Sequence, residues 1–132
     1  MGFSGKLGFI GGGLMAEALI KGITGAGLVK GEEILVADPS SARRALLEKD
    51  YNVTAVSEAT AVWAECKVVV LAVKPQVLTA VLSDAREQIN AGHLLISIAA
   101  GIPLAVLEGA VAGRGCRVIR VMPNTPAIVL KG

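Results

Sequence analysis

Short apolar runs alternate along the whole chain with longer segments of helical period. The runs predict strands at Leu7–Ile10, Glu33–Ala37, Val53–Val56, Lys67–Val73, Leu94–Ala99 and Arg117–Met122. The fourth is nearly unbroken Val and Leu, the signature of a central strand buried on both faces. The segments between them predict helices. The first, Leu14–Gly25, is expected to turn Met15, Ala18, Leu19 and Ile23 inward and to end at Gly25 or Gly27. Ser41–Asp50 is expected to bury Ala42, Ala45 and Leu46, with Ser40 as its N-cap. Ser57–Glu65 would be capped by Ser57 and bury Ala61 and Val62. Pro75–Ile89 and Pro103–Val111 each open on a proline, which a helix tolerates in its first turn. Val77, Leu78, Val81, Leu82 and Ala85 form the inner face of the former, and Leu104, Leu107 and Val111 that of the latter.

Strands alternating with helices dictate an α/β fold. The expected form is a doubly wound parallel sheet in three layers, its helices on both faces and its crossovers right-handed. No linker, repeat or low-complexity tract divides the 132 residues, so they are expected to form one domain. Hydrophobic residues make up 53% and aromatic residues 3%, which requires an aliphatic core and excludes a disordered chain. The net charge of +2 is spread along the chain, and a nucleic-acid face is not expected. Neither a membrane span nor a signal peptide is expected, and the default location is the cytoplasm. Cys66 and Cys116 lie far apart, without a metal-ligand spacing, and read as free thiols; His93 reads as the leading residue of a strand.

The chemistry gathers at the predicted carboxyl ends of the strands, where open α/β sheets bind ligands. Ile10-Gly11-Gly12-Gly13-Leu14-Met15-Ala16 joins the first strand to the first helix. Gly11 allows a tight turn, Gly13 allows close approach of a pyrophosphate, and Ala16 allows helix and strand to pack. The phosphates would rest on N–H groups at the positive end of the helix. Asp38 ends the second strand and suits the ribose hydroxyls of NAD, whereas Ser40, Ser41, Arg43 and Arg44 behind it suit the 2′-phosphate of NADP. A turn with a helix cap and a solvated basic face would account for the same residues. Lys74, within Ala72-Val73-Lys74-Pro75-Gln76, ends the fourth strand. Small residues, Ser97-Ile98-Ala99-Ala100-Gly101, end the fifth, and Met122-Pro123-Asn124-Thr125-Pro126 ends the sixth. Together these motifs make a Rossmann-type dinucleotide-binding domain with NADP(H) or NAD(H) as cofactor.

Four of these stretches, residues 10–16, 72–76, 97–101 and 120–126, resemble pyrroline-5-carboxylate reductase, and the resemblance runs from Leu7 to Pro126. It implies reduction of the cyclic imine 1-pyrroline-5-carboxylate to L-proline by hydride transfer, in proline biosynthesis. It also implies pyrophosphate contacts from Ile10 to Met15 and ribose contacts at Asp38 and Ser40. Ala72, Val73, Lys74 and Pro75 would line the cofactor cleft, with Ala100 on the nicotinamide side and Asn124 facing the same cleft. A ribose-contacting asparagine common in the family is replaced by Ala59. The family's second, helical domain forms the dimer and supplies the imine contacts. The chain stops at Lys131-Gly132, so a cut within a longer homo-oligomeric protein is expected, with no catalytic residue in this stretch. Another dehydrogenase of the same superfamily shares the frame but is expected to lack the Lys74-Pro75-Gln76 and Met122–Pro126 pair, and a nucleotide-sensing regulatory domain shares it too but is expected to end in a complete, capped last element.

Overall fold

The computed structural model describes residues 6–121. Six strands form one parallel sheet: β1 Lys6–Ile10, β2 Ile34–Ala37, β3 Thr54–Val56, β4 Cys66–Leu71, β5 Leu94–Ser97 and β6 Arg117–Arg120. Five helices connect them: α1 Leu14–Gly25, α2 Ser41–Tyr51, α3 Thr60–Glu65, α4 Pro75–Ala85 and α5 Leu104–Ala110. The spatial order is β3-β2-β1-β4-β5-β6. The expected doubly wound α/β architecture is therefore the one observed.

Apolar side chains pack on both faces of the sheet. One core gathers Phe9, Ala16, Ile20, Leu47 and Val70 beneath α1 and α2. The other gathers Ile10, Val62, Trp63, Val69, Leu71, Leu78 and Leu107 beneath α3, α4 and α5. Neighbours such as Phe9 and Ile10, or Val70 and Leu71, serve opposite cores because successive strand residues point to opposite faces. Two buried layers explain why the central strands read as unbroken apolar runs. β6 is different: it pairs on one side only, and its residues alternate between exposed and half-buried.

Several helix faces differ from expectation. In α1 the buried residues are Ala16 and Ile20, whereas Met15 and Leu19 are exposed. Ala16 is small enough to bring the helix onto the sheet, and this contact sets the helix's rotation. In α2 Leu47 is buried, and Ala42 and Ala45 face outward. The larger side chain takes the inner position because it releases more apolar surface from water. In α5 Leu107 is buried, while Leu104 is 39% exposed. α3 starts at Thr60, behind Ala59, so Ser57 caps nothing. Burial of Val62 and Trp63 fixes the phase of that short helix instead. α4 begins at Pro75 as expected, but Arg86–Gln88 tightens into a 3-10 turn.

His93 proves to be a bridge within the core. Its Nδ1 accepts from the Asn90 N–H at 3.1 Å, so Nε2 carries the proton and donates to the Trp63 carbonyl at 2.9 Å. The two rings also meet edge to face, with centroids 5.4 Å apart.

Two substitutions in one helix test this packing. Leu107→Ala should lower unfolding free energy by about 2–5 kcal/mol, the usual cost of emptying a core leucine site. Leu104→Ala should change it by no more than about 0.5 kcal/mol. Urea denaturation followed by circular dichroism measures both; equal losses would contradict the observed rotation of α5.

Candidate functional site

The chain between β1 and α1 makes the corner of the site. Gly11 donates its N–H to the Ala37 carbonyl at 2.8 Å, which draws the turn onto the end of β2. Its φ of 103° lies where L side chains are strained, and a Cβ there would come within 2.7 Å of the Ala72 carbonyl oxygen. Gly12 is buried against α2, with space for a Cβ taken by Leu47. Gly13 is the N-cap of α1 and has no side chain to bond the helix start. The first helical bond runs from the Glu17 N–H to the Gly13 carbonyl. The amides of Leu14 and Met15 precede it and have no acceptor within the helix. Open space surrounds the Gly13 Cα, so an anion can reach those amides.

A cleft of two connected lobes leads away from this corner. The larger, about 550 Å³, lies between the ends of β1, β2 and β4 and touches Gly11, Asp38, Glu58, Ala59, Ala72 and Lys74. The smaller, about 290 Å³, is walled by Leu14, Met15, Pro75, Ile98, Ala99 and Ala100. Gly13, Ala72, Val73 and Lys74 line both lobes. Ile10 is in the larger lobe. A separate cavity of about 570 Å³ lies beside α5 and β6 and shares no lining residue with the cleft.

The structure thus brings most of the residues read from sequence to one sheet edge. β4 stops at Leu71, two residues sooner than expected, which frees Ala72 and Val73 to line the cleft. Lys74 is exposed at the N-cap of α4, and Pro75 occupies that helix's first position. Ser40 caps α2, its Oγ accepting from the Arg43 N–H at 3.2 Å. It does not line the cleft. Asn124 and its motif lie outside the described residues.

Asp38 and Arg43 are both tied to the glycine turn. Asp38 accepts from the Gly12 N–H through Oδ2 and from the Ser40 N–H through Oδ1, each at 2.8 Å. Arg43 donates from Nε to the Gly12 carbonyl at 2.7 Å and from Nη2 to Glu17 Oε1 at 2.8 Å. Tyr51 donates its hydroxyl to the other Glu17 oxygen at 2.7 Å. Arg44 holds the Asp38 carbonyl. The contacts of Glu17 and Tyr51 escaped the sequence reading, because these residues join across two helices from positions far apart in the chain.

The hydrogen bond from Arg43, followed by that from Tyr51, holds the Glu17 carboxyl below its ordinary value of 4.5. The same contact raises the Tyr51 hydroxyl, while burial pushes the Cys66 thiol up to about 11. Because folding lowers the Glu17 pKa, the unfolded chain binds the proton first as pH falls. The contribution of Glu17 is therefore present above pH 4.5 and is lost as pH drops through the lower, folded value. A Glu17→Gln variant should accordingly lose less stability than wild type between pH 5 and pH 3 in urea titrations; parallel curves would contradict this. Gly11→Ala should lower stability by more than about 1 kcal/mol through strain and crowding, read from the same denaturation midpoints.

A parallel sheet of this order, with a glycine-cornered cleft where the strand order reverses, defines a Rossmann-type dinucleotide-binding domain. The sequence profile of the family described as NADP oxidoreductase coenzyme F420-dependent matches residues 6–101, and the chain belongs to that family. The motif-based resemblance is also borne out among named relatives. The pyrroline-5-carboxylate reductase of Methanosarcina acetivorans is 40% identical over 124 residues, which cover 94% of this chain and 46% of that protein. A pyrroline carboxylate reductase from Plasmodium falciparum, solved with NADP bound, is 33% identical with a TM-score of 0.78 over 96% of this chain and 45% of that one. The Coxiella burnetii pyrroline-5-carboxylate reductase superposes with a TM-score of 0.86 at 29% identity, over 96% of this chain and 47% of that one. The chain thus spans about half the length of the relatives it matches. Among the described residues no helix is long and apolar enough to cross a membrane.

Proposed function

We propose that the chain binds NADP(H) or NAD(H) along the switch-point cleft and forms the nucleotide-binding part of a pyrroline-5-carboxylate reductase. The observation that carries this reading is the open phosphate corner, where Gly13 exposes the start of α1 at the junction of the two lobes. The name shared by the relatives supports 1-pyrroline-5-carboxylate as the substrate of the whole protein, and reduction of that cyclic imine would give L-proline.

The residues present fit a dinucleotide. The amides of Gly13, Leu14 and Met15 would take the pyrophosphate, with the helix dipole favouring its charge. The larger lobe would hold the adenosine half, with Asp38 beside its ribose. The smaller lobe has apolar and small walls, among them Ile98, Ala99 and Ala100, suited to the nicotinamide half. Lys74 would stand between the halves and Pro75 would wall the smaller one, and Asn124 belongs to the same proposal. The bound cofactor supplies the hydride that reduces the imine carbon. The contribution of this chain is to bind it and hold it oriented.

In this reading the imine contacts and the homo-oligomer interface belong to a separate helical domain, for which relatives about twice the length of this chain leave room. Leu14 is 79% exposed at the mouth of the smaller lobe, an apolar surface suited to such a neighbour. The free thiols Cys66 and Cys116 suit a reducing cytoplasm.

Calorimetric titration with NADPH and NADH, alongside an imine-reduction assay, tests the reading. Both nucleotides should bind weakly, and the chain alone should form no proline. Failure of both to bind would refute the cofactor site. Proline formation by these 132 residues would refute the division of labour. Asp38→Asn should preserve the contact with Gly12 while removing the charge. It should move the NADPH-to-NADH affinity ratio upward by about tenfold, the scale of one hydrogen bond to a charged group. An unchanged ratio would remove Asp38 from the ribose site.

A further inference from the structure

Gly12 is the one residue of the turn whose two backbone groups are both taken by side chains from the α2 side. Asp38 receives its N–H and Arg43 supplies a donor to its carbonyl. In a trans peptide the carbonyl of one residue and the N–H of the next point in opposite directions. Pinning the Gly12 oxygen on the α2 side therefore aims the Gly13 N–H away from α2, and Gly13 lines both lobes of the cleft. The Arg43 guanidinium reaches Gly12 with Nε and Glu17 with Nη2 at once. Its side chain is 25% exposed and that of Glu17 23%, so the pair is half-buried between α1 and α2. Glu17 lies in the first turn of α1, where an unpaired carboxylate would repel a bound pyrophosphate. Arg43 and Tyr51 occupy both of its oxygens.

We propose that Arg43, with Glu17 and Tyr51 behind it, is a positioning residue that orients the Gly12–Gly13 peptide for pyrophosphate rather than a ligand of the 2′-phosphate. The proposal rests on the nucleotide-binding reading above and extends it to residues outside the cleft. It makes the role of Arg43 blind to the 2′ position, since NADH and NADPH share the pyrophosphate. It also makes that role geometric. A lysine would keep the charge but would have to reach Gly12 and Glu17 with one flexible nitrogen in place of the two nitrogens that the guanidinium holds in a fixed fork.

The test titrates wild type, Arg43→Ala, Arg43→Lys and Tyr51→Phe with NADPH and with NADH. It also follows the Gly13 backbone amide resonance by proton–nitrogen NMR without nucleotide. Arg43→Ala and Arg43→Lys should each raise both dissociation constants by about tenfold, the scale of a lost charge-assisted hydrogen bond, and leave their ratio unchanged. Tyr51→Phe should raise both by about twofold to threefold. The Gly13 amide, which belongs to the peptide whose carbonyl Arg43 holds, should shift in both Arg43 variants. A loss confined to NADPH would make Arg43 a direct 2′-phosphate ligand and overturn the proposal. So would full retention of affinity in Arg43→Lys, or an unmoved Gly13 amide resonance. If Arg43→Ala does not fold, Arg43→Lys and Tyr51→Phe decide the matter by the same criteria. If wild type binds neither nucleotide, the functional reading falls, and the Gly13 amide resonance in the Arg43 variants alone upholds or overturns the orienting role.

Discussion

β1 hydrogen-bonds in parallel to β2 on one side and to β4 on the other, with Ile10 level with both Ala37 and Leu71. Three strand ends are thereby brought to one height. The chain leaves β1 over one face of the sheet, through α1, and reaches β4 over the other, through α3. The helices diverge at that point, and the space between them is the cleft. The placement of Gly11, Asp38 and Lys74 around one volume follows from this reversal of strand order, since each ends or follows one of the three strands.

The turn at the corner is held from two directions. The sheet holds Gly11, through the Ala37 carbonyl and the close approach of Ala72. α2 holds Gly12, through Leu47 packed on its Cα and Arg43 on its carbonyl. Gly13 is left open to the cleft. Three successive glycines therefore have three different physical roles: a positive φ, a close packing contact and an exposed approach to the helix start. The same α2 residues that build the core beneath the turn also shape its outer surface, so stability and ligand geometry are coupled there.

On the opposite face, Trp63 and His93 play a comparable part for the short helix α3. Three residues before its first turn, Ser57, Glu58 and Ala59, remain in loop conformation and line the larger lobe. A helix this short has little intrinsic stability, and tertiary packing holds it in place. The buried Trp63 ring and the hydrogen bond from His93 to its carbonyl provide that hold. The loop's position beside the cleft is set by a core contact behind it.

The order of elements, the three layers and the sheet edge at which the chemistry gathers are legible in the sequence. Those follow from local properties: unbroken Val and Leu runs, proline in the first turn of α4 and at the N-cap of α5, and glycine at the end of β1. Which helix faces turn inward was set by packing in the folded chain. Ala16 and Ile20 displaced Met15 and Leu19, and Leu47 displaced Ala42 and Ala45. In short helices, fit against a particular sheet surface outweighs the number of apolar side chains a face can offer. The tertiary structure likewise decided the contacts of Arg43. In sequence it is one of two adjacent basic residues after a helix cap, equally suited to solvent or phosphate. In the folded chain it meets Gly12 and Glu17, 31 and 26 residues away, and no local pattern encodes a contact of that range.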